Sequence, residues 1–460
     1  MSNVTMQQLV AFCKNRGFVF PGSEIYGGLA NTWDYGPLGV ELKNNLKKEW
    51  WDYFVTKDEN SYGVDCAILM NPRVWEASGH VAGFSDPKMD CKHCKTRHRA
   101  DTLIEEYNRK HNISMPVDTM SHEEMSAYIA EKQIKCPDCG AMDWTPIKNF
   151  NLMFQTRRGT TEENSDIIYL RPETCQGEYV NFLNVQRTMR AKIPFGIGQI
   201  GKSFRNEITP GNFVFRTIEF EQMEYQLFCK PGDDERCFNL YKEKVMEFYK
   251  SLGLPAEKLR FKDHDKLAFY AKAATDIVFN FPFGWEELNG IHNRTNYDLS
   301  RHQEFSGKNL NYTDPITGEK YIPYIVEFSV GADRLFLTII ADAYTEETLD
   351  DGETRIVLKL LPKLAPYKVA VLPLQKNLSE KALDVFHKLR KEFNADYDES
   401  GSIGKRYRRH DEIGTPYCVT IDFDTLENDT VTIRDRDTMA QERIAIGELS
   451  AYLNKKIYNK

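Results

Sequence analysis

The stretch GIGQIGKSFRNEITPGNFVFR, residues 196–216, decides between a phosphate-binding loop and an extended sheet. Its glycines fit the spacing of a P-loop ending in Lys202 and Ser203, and they also fit the spacing of a dinucleotide-binding turn. Both motifs require a helix at the end of the loop, because phosphate binds the unpaired amides of that helix's first turn. The residues after Ser203 therefore decide which structure forms.

Those residues predict strands. FRNEI is followed by the turn signal TPGN and then by FVFRTIEFEQMEYQLF, which is rich in aromatic and β-branched residues. Pro210 and Gly211 leave room for fewer than about two turns of helix. We therefore reject both loop motifs and predict a β-hairpin that turns at Pro210 and Gly211, with the glycines of residues 196–201 marking turns.

Length and composition predict an ordinary globular chain. The 460 residues predict two or three domains, and the hydrophobic share of 41% and the charged share of 28% are typical of soluble proteins. The sequence has no secretory signal or membrane-spanning run, so we expect a cytoplasmic protein without a membrane partner. The formal charge of -8 excludes a uniformly basic surface but leaves a local nucleic-acid contact possible.

A domain boundary is predicted at LKLLPKLAPYK, residues 358–368, where two prolines separate a long region from a compact tail. The tail reads as a small α/β domain, with strands in KVAVLPL, PYCVTIDF and DTVTIRDRD and a last helix near GELSAYLNKK. Ser379 is predicted to cap its first helix. The apolar residues at helical spacing in that helix are Leu383, Phe386, Leu389 and Phe393.

A basic segment in this tail, GSIGKRYRRHDEIG, has two interpretations. Its cations, around Tyr407, are those of a solvated helix face or of a nucleic-acid contact, and charge alone favours the solvated face. The cations are Lys405, Arg406, Arg408 and Arg409.

Two C-x-x-C pairs, CKHC and CPDCG, predict a metal site. Such pairs can place four thiolates around a tetrahedral ion, here Cys91, Cys94, Cys136 and Cys139. The 41 residues between the pairs must then fold as a subdomain that brings them together. Structural Zn²⁺ is favoured over plain reduced cysteines and over a redox role. The other six cysteines show no disulfide framework.

Strand periodicity sorts the side chains of the predicted hairpin, since residues two apart share a face. Arg205 and Glu207 share one face of the first arm, while Arg216, Phe220 and Glu224 share a face of the second. Guanidinium groups suit phosphate, and a phenyl ring can stack on a base. The pattern predicts a nucleotide bound on an antiparallel sheet.

A third segment, YIVEFSVGADRLFL, predicts a buried strand that turns at Gly331 into a helix with Arg334 in its first turn. Glu327 and Ser329 share a face of that strand.

With these motifs the chain resembles the glycyl-tRNA synthetases of the dimeric class II kind over nearly its whole length. YGGLANTWDYGPLGVELKNNLKKEWW is similar to the first class II motif, with Pro37 before a long interface helix. FRNEITPGNFVFRTIEFEQMEY is similar to the second motif, and VEFSVGADRLFL to the third. RPETCQG, ELNGIHNRTNYDLSRH and the tail resemble the glycyl branch and its anticodon-binding domain. The chain departs from the family pattern at Cys175, His292 and Phe328.

The resemblance implies an α+β catalytic domain built on an antiparallel sheet, with a zinc-binding insertion and a C-terminal α/β anticodon-binding domain. The implied boundaries are 1–85 and 151–362 for the two parts of the catalytic domain, 86–150 for the insertion and 363–460 for the anticodon-binding domain. It also implies ATP, Mg²⁺, glycine and tRNA-Gly as substrates or cofactors, and a homodimer.

The resemblance further implies individual roles. Arg205 would hold the ATP α-phosphate, Phe220 would stack on the base, and Arg216 and Arg334 would hold the outer phosphates. Glu287 and Leu288 would add nucleotide or magnesium contacts. The implied nucleotide site is completed by Asn206, Glu207, Phe215, Gly331 and Asp333. The implied glycine site comprises Arg99, Glu173, Phe220, Glu221, Gln222, Glu224, Glu327 and Ser329.

The implied reaction needs no dedicated general base, because a substrate carboxylate is already a nucleophile that requires only alignment and charge neutralisation. The smallest amino acid also needs no editing domain, and we predict none. The alternatives are a threonyl, prolyl or histidyl synthetase of the same architecture, or a non-catalytic synthetase-like protein that binds nucleic acid. The presence of Arg205, Glu207, Arg216 and Arg334 disfavours the non-catalytic alternative.

Overall fold

A computed structural model gives the fold of residues 4–117, 119–159, 166–207, 211–264, 267–268, 270–349 and 352–459. The α-helices are α1 (Met6–Asn15), α2 (Pro37–Trp51), α3 (Arg73–Ala77), α4 (His80–Gly83), α5 (Ala100–Lys110), α6 (His122–Glu131), α7 (Cys175–Val180), α8 (Phe182–Met189), α9 (Asp234–Ser251), α10 (Tyr297–Ser306), α11 (Ala332–Ala343), α12 (Ser379–Leu389), α13 (Ile403–Glu412), α14 (Phe423–Asn428) and α15 (Leu449–Tyr458).

The strands complete the list of regular elements. They are β1 (Val19–Pro21), β2 (Trp33–Tyr35), β3 (Ser61–Gly63), β4 (Ser85–Asp90), β5 (Arg97–Arg99), β6 (Lys148–Asn151), β7 (Gln155–Arg158), β8 (Asp166–Tyr169), β9 (Phe195–Phe204), β10 (Glu219–Cys229), β11 (Leu259–Asp263), β12 (Ala273–Phe281), β13 (Gly284–Thr295), β14 (Tyr312–Thr313), β15 (Lys320–Tyr321), β16 (Tyr324–Gly331), β17 (Tyr344–Thr348), β18 (Thr354–Leu358), β19 (Val369–Pro373), β20 (Ala395–Tyr397), β21 (Tyr417–Ile421), β22 (Thr430–Asp435) and β23 (Gln441–Ala445).

The central sheet has the strand order β11-β12-β13-β16-β10-β9-β3. Its neighbouring strands are antiparallel except for β3 and β9 at one edge. Lys202 and Ser203 lie inside β9, directly opposite Glu221 and Phe220 of β10. The rejection of a P-loop is therefore confirmed, because the backbone amides that would bind phosphate there are part of a sheet.

The hairpin differs from its prediction in where the strands end. β9 stops at Phe204, so Arg205 and Glu207 lie in the connection to β10 and not on a strand. In this connection a 3₁₀ turn, Phe213–Phe215, buries three apolar side chains. The predicted turn and arm residues Ile208 and Pro210 lie outside the described residues. Burial of the apolar residues in this turn overrides the strand preference of FVF.

The glycines of β9 are also a correction, because they lie within the strand and not at turns. A Cβ built on Gly196 would lie 1.8 Å from the Tyr225 hydroxyl, and one on Gly198 would lie 2.7 Å from Val55 Cγ2. On the other face, a Cβ at Gly201 would lie 2.2 Å from the Arg171 guanidinium. Glycine within this strand therefore admits large neighbouring side chains on both faces.

One face of the sheet is covered by helices α2, α9 and α11. The core between them includes Trp50, Phe54, Tyr225 and Phe328, all fully buried. Helix α11 follows β16 directly at Gly331, as the sequence predicts. The opposite face is covered at one end by α7 and α8 and is open at the other.

Residues between β4 and β6 form a subdomain with a core of its own. The three strands pair in the order β5-β4-β6, and helices α5 and α6 pack together beside them. Helix α6 begins with a Ser121 capping box.

The tail folds around a mixed sheet of order β20-β19-β21-β22-β23 with its own core. The strands and helices predicted here are present, but two details of α12 differ. Leu378 is the N-cap, and the Ser379 hydroxyl instead donates to Glu399. Leu383 is 37% exposed because Ala382 and Val385 face the core. The helix is rotated relative to the predicted apolar stripe.

Candidate functional site

A cavity of about 410 Å³ lies on the open face of the central sheet. Its floor comes from β10, β13 and β16, and its roof includes Phe84, Asp86 and Arg99 from the subdomain. The predicted residues that line it are Arg99, Glu173, Arg205, Glu207, Phe215, Arg216, Phe220, Gln222, Glu224, Glu287, Glu327, Ser329, Gly331, Asp333 and Arg334. Most of the residues predicted for the nucleotide and glycine sites therefore lie around one cavity.

Cations and aromatic rings alternate around part of this cavity. The Arg205 guanidinium carbon lies 5.3 Å from the ring centroid of Phe84 and 5.4 Å from that of Phe220. Arg205 Nε donates to the carbonyl of Pro172, which fixes the position of the guanidinium. Phe220 is only half-buried, so one side of its ring is available for stacking.

Arg334 projects into the cavity from the first turn of α11. Its guanidinium carbon lies 4.4 Å above the ring of Phe215, and Nη1 lies 3.0 Å from Glu287 Oε1. This neighbouring cation, acting against a smaller effect of burial, lowers the pKa of Glu287. The result is a paired cation and carboxylate, with the Glu287 side chain 48% exposed at the cavity.

Three carboxylates lie together elsewhere in the cavity lining: Glu224 and Glu327 are buried, and Glu173 is partly buried. Glu224 accepts hydrogen bonds from Thr174, from Gln222 Nε2 at 3.0 Å and from Ser329 Oγ at 2.8 Å. Burial and then the charges of Glu327 and Glu173 raise the pKa of Glu224 to about 7. This cluster is therefore a strong site for a substrate cation.

Nearby donors keep the other two carboxylates ionised. Burial acts to raise the pKa of Glu327, but Arg294 at 3.1 Å and His292 lower it overall. Burial likewise opposes ionisation of Glu173, and His80 with Arg294 lowers its pKa well below the usual range. The site thus combines two stable negative charges with Glu224, which titrates near neutral pH.

Arg99 reaches the cavity from β5, and there it is already paired. Its guanidinium lies 3.0 Å from Asp86 and 2.7 Å from Asp101. These contacts hold the side chain at the roof of the cavity, above the sheet.

Three predicted site residues lie outside the cavity lining among the described residues. Glu221 faces the other side of β10 and pairs with Lys43 and Lys47 at 3.1 Å, because neighbouring residues of a strand alternate between faces. Leu288 is buried in the core beneath β13, because a register shift between β12 and β13 at this point interrupts the alternation of faces. Asn206 follows the end of β9, and its amide donates to the carbonyl of Leu152. These three assignments are corrected.

Asp333 lines the cavity, but its carboxylate is already hydrogen-bonded to other residues of the protein. Its carboxylate accepts hydrogen bonds from Tyr35, Lys43 and the amide of Glu221. We interpret it as a residue that fixes the start of α11 and the course of β10.

Residues of β13 that complete the floor of the cavity were not predicted from the sequence. Gly290, His292 and Arg294 alternate along one strand face, and Tyr270 packs against Arg294 with 4.0 Å between guanidinium carbon and ring centroid. Arg294 is bound on both sides, by Asp298 at 2.7 Å and by Glu327. The two-residue spacing of Gly290, His292 and Arg294 in GIHNRT could have indicated that they share a strand face.

The four cysteines of the two pairs meet in the subdomain. Cys91 Sγ lies 3.6 Å from Cys139 Sγ, and Cys94 Sγ lies 3.7 Å from Cys136 Sγ. All four sulfurs lie within 4.8 Å of one another. Thiolates bound at about 2.3 Å around a tetrahedral Zn²⁺ are separated by comparable distances, so the donor set fits this ion.

The cations of the basic segment lie on α13 and are not equivalent. Lys405 and Arg409 are exposed, and Arg409 pairs with Asp398. Arg408 is half-buried, 3.4 Å from Glu353. Arg406 is 3% exposed and donates to the carbonyls of Pro373 and Asp398, so it is not available on the surface.

Helices long and apolar enough to cross a membrane are absent from the described part of the chain.

The antiparallel sheet, the cation-rich cavity and the appended α/β tail define a class II aminoacyl-tRNA synthetase. Residues 154–343 match the family model described as tRNA synthetase class II core domain (G, H, P, S and T), and residues 368–456 match Anticodon binding domain. The solved threonyl-tRNA synthetase RNA-binding domain of Cryptosporidium parvum has the same fold, with a TM-score of 0.64 at 17% identity over 97% of this chain and 98% of that chain.

Sequence relatives identify the family within this class to which the chain belongs. The glycine–tRNA ligase of Clostridium acetobutylicum is 60% identical over 98% of this chain and 99% of its own length. That of Alkaliphilus oremlandii is 59% identical over 98% of both chains, and that of Caldanaerobacter subterraneus subsp. tengcongensis is 60% identical over 99% of both. The chain belongs to the glycine–tRNA ligase family, as its motifs indicated.

Proposed function

We propose that the chain ligates glycine to tRNA-Gly in two steps, through a glycyl-adenylate, with release of AMP and pyrophosphate. The observation that carries this proposal is one cavity that joins Arg205, Phe220 and Arg334 to a cluster of carboxylates. The part with the arginines and Phe220 suits a nucleoside triphosphate, and the part with the carboxylates suits an ammonium group. The names of the close relatives support the same activity.

The nucleotide would bind over β10 and the start of α11. Phe220 would offer its half-exposed ring to the base, and Glu207 and Phe215, which line the same cavity, would contact the adenine. Arg205 would hold the α-phosphate, and Arg216 and Arg334 the outer phosphates of a bent ATP. Fixed guanidinium groups stabilise the charge that develops on phosphate oxygens during displacement.

Glycine would bind at the carboxylate cluster. Glu173, Glu224 and Glu327 are positioned to hold its ammonium group, and Ser329 and Gln222 are hydrogen-bonded to Glu224. The substrate carboxylate would then attack the α-phosphorus without a general base. A ribose hydroxyl at the 3′ end of the tRNA would take the glycyl group and release AMP.

Selectivity for glycine would come from exclusion. The cavity is crowded at the cluster by Tyr270, His292 and Arg294, so a larger side chain would have to displace packed groups. Steric rejection of larger substrates is severe, and a glycine enzyme meets no smaller amino acid. This is why we propose that the protein works without an editing domain.

Two metal ions belong to the proposal. Mg²⁺ would neutralise phosphate charge, and the half-exposed carboxylate of Glu287 offers the oxygen ligand this ion prefers. Zn²⁺ would be held by Cys91, Cys94, Cys136 and Cys139, with a closed coordination sphere and a structural role.

The remaining assignments concern partners. Lys405, Arg408 and Arg409 of α13 would contact tRNA, and residues 363–460 would act as the anticodon-binding domain. Residues 1–85 and 151–362 would form the catalytic domain, interrupted by the zinc-binding insertion at 86–150. The protein would act in the cytoplasm as a homodimer, with α2 as the interface helix.

Charging of tRNA tests the proposed function. Purified protein incubated with ATP, Mg²⁺, labelled glycine and tRNA-Gly should produce acid-precipitable glycyl-tRNA, and tRNA specific for threonine, proline or histidine should remain uncharged. Charging of one of those tRNAs with its own amino acid would favour the alternative synthetases. Absence of any charging would favour the non-catalytic alternative.

A further inference from the structure

A buried ion-pair network joins α13 to the hairpin β17–β18. Arg355 of β18 donates to Asp411 of α13 at 3.0 Å, and Asp411 also accepts two hydrogen bonds from Arg434 of β22 at 2.8 and 3.0 Å. The Arg355 and Asp411 side chains are 1% and 0% exposed. Such a pair holds two elements in one arrangement, because separating them would leave a buried charge without a partner.

Other contacts reinforce the same junction. Arg436, also buried, donates to the carbonyl of Leu360 on one side and to that of Gly414 on the other. Arg16, directly after α1, lies 2.7 Å from Glu412 at the end of α13. Leu360 belongs to the core beneath the central sheet, so these bonds connect that core to the tail.

Helix α13 therefore takes part in the junction and also carries exposed cations. Asp411 and Glu412 at its end contact the junction, while Lys405 near its start and Arg409 in its last turn are exposed. The hairpin that holds Asp411 follows α11 directly, and α11 carries Arg334 into the cavity. One short path of rigid elements thus connects the basic face of α13 with the cavity.

We propose that Arg355 is a positioning residue for tRNA: through Asp411 it fixes α13 and its basic face at a set distance and orientation from the cavity. The proposal rests on the proposed function, since it assumes that one tRNA contacts α13 and the cavity together. A tRNA that contacts both α13 and the cavity binds more tightly when the distance and orientation between these two sites are fixed. It binds more weakly when α13 can move relative to the cavity.

Arg355→Met tests this positioning role. The substitution removes the Arg355–Asp411 bond across the junction while Asp411 keeps its two bonds from Arg434, so the tail retains its internal ion pair. We expect glycine-dependent ATP–pyrophosphate exchange within about twofold of wild type. We expect kcat/KM for tRNA-Gly to fall at least about tenfold, mainly through KM, because loosened geometry weakens two-site binding.

Two further variants serve as controls. Arg443→Met also removes one cation but breaks only contacts inside the tail, with Asp422, Asp424 and Thr430, so it reports the general loss of attraction for tRNA. It should change kcat/KM for tRNA by less than about threefold. Arg355→Lys retains a cation at the junction and should recover part of the tRNA affinity.

Limited proteolysis supplies a readout that needs no activity. Cleavage within residues 359–368 should be at least about fivefold faster in Arg355→Met than in wild type, since a released junction opens more often. Unchanged kcat/KM for tRNA in Arg355→Met would overturn the proposal. Parallel losses in exchange and charging would also overturn it, by indicating a purely structural role. Wild-type protein without glycine-dependent exchange would instead refute the proposed function.

Discussion

The Arg205 guanidinium and the Phe220 ring face each other across 5.4 Å, with both side chains lining the same cavity. Arg205 lies just beyond the end of β9, and Phe220 lies in β10 opposite Ser203. A residue just past one strand and a residue within the next therefore present a cation and an aromatic plane together, without any helix N-terminus. The proposed nucleotide site depends on this pairing.

Removing the ring should weaken ATP binding. For Phe220→Ala we expect KM for ATP to rise about 10- to 100-fold, because stacking of a base on an aromatic ring contributes about 1–3 kcal/mol. Phe220→Tyr keeps the ring and should stay close to wild type. Steady-state exchange kinetics at varied ATP concentrations measure both. An Ala variant with unchanged KM for ATP would show that the base binds elsewhere.

The pKa of Glu224 predicts a pH dependence for glycine use. Burial, Glu327 and Glu173 raise this pKa to about 7, so below that pH Glu224 becomes protonated and loses the charge that would bind the substrate ammonium. We expect kcat/KM for glycine to fall up to about tenfold per pH unit below 7, since this parameter reports groups of the free enzyme. KM for ATP serves as the reference across the same pH range.

Glu224→Gln should lower kcat/KM for glycine at pH 8. It should also remove most of the fall in kcat/KM below pH 7, the acid limb of the pH profile. Retention of the full acid limb in this variant would assign the titration to another group.

The cysteine cluster predicts a metal content. Purified protein should contain about one zinc per chain, because four thiolates at tetrahedral spacing bind this ion tightly. Cys94→Ser should lose most of the metal and expose residues 86–150 to proteases. Cys66→Ser changes a cysteine outside the cluster and should keep both metal and resistance. Fully active protein without metal would contradict the prediction.

The glycines within β9 predict a large effect of a single methyl group. Gly196→Ala places a Cβ against the buried Tyr225 ring, so we expect the free energy of unfolding to fall by about 3 kcal/mol. Gly404 in α13 has no atom within 4 Å of a built Cβ, and Gly404→Ala should cost nothing or add about 0.5–1 kcal/mol. Equal stabilities of the two variants in denaturant unfolding would argue against packing at Gly196.

The sequence predicted the site well where strand periodicity applies. Phe220, Gln222 and Glu224 line the cavity because β10 is regular, and Glu327 and Ser329 do so on β16. Alternation also shows why Glu221 lies outside the cavity, since position within a motif had been followed in place of the strand face. Leu288 lies outside it because of a register shift in β13, which depends on pairing with β12.

Other features depended on contacts between distant segments. The glycines of β9 read as turns because Tyr225 and Arg171, which need the space, lie far away in sequence. Arg406 read as a surface cation because the carbonyls that bind it belong to Pro373 and Asp398. Arg294 was missed because Glu327, its partner in the cavity, comes beside it only after β13 and β16 pair. A local pattern carries none of this information.

The central claim is that this cavity activates glycine with ATP. ATP–pyrophosphate exchange measured with wild-type protein across a panel of amino acids tests it most directly. We predict strong exchange with glycine and none above background with alanine, threonine, proline or histidine. Exchange stimulated by one of these amino acids but not by glycine would contradict the claim.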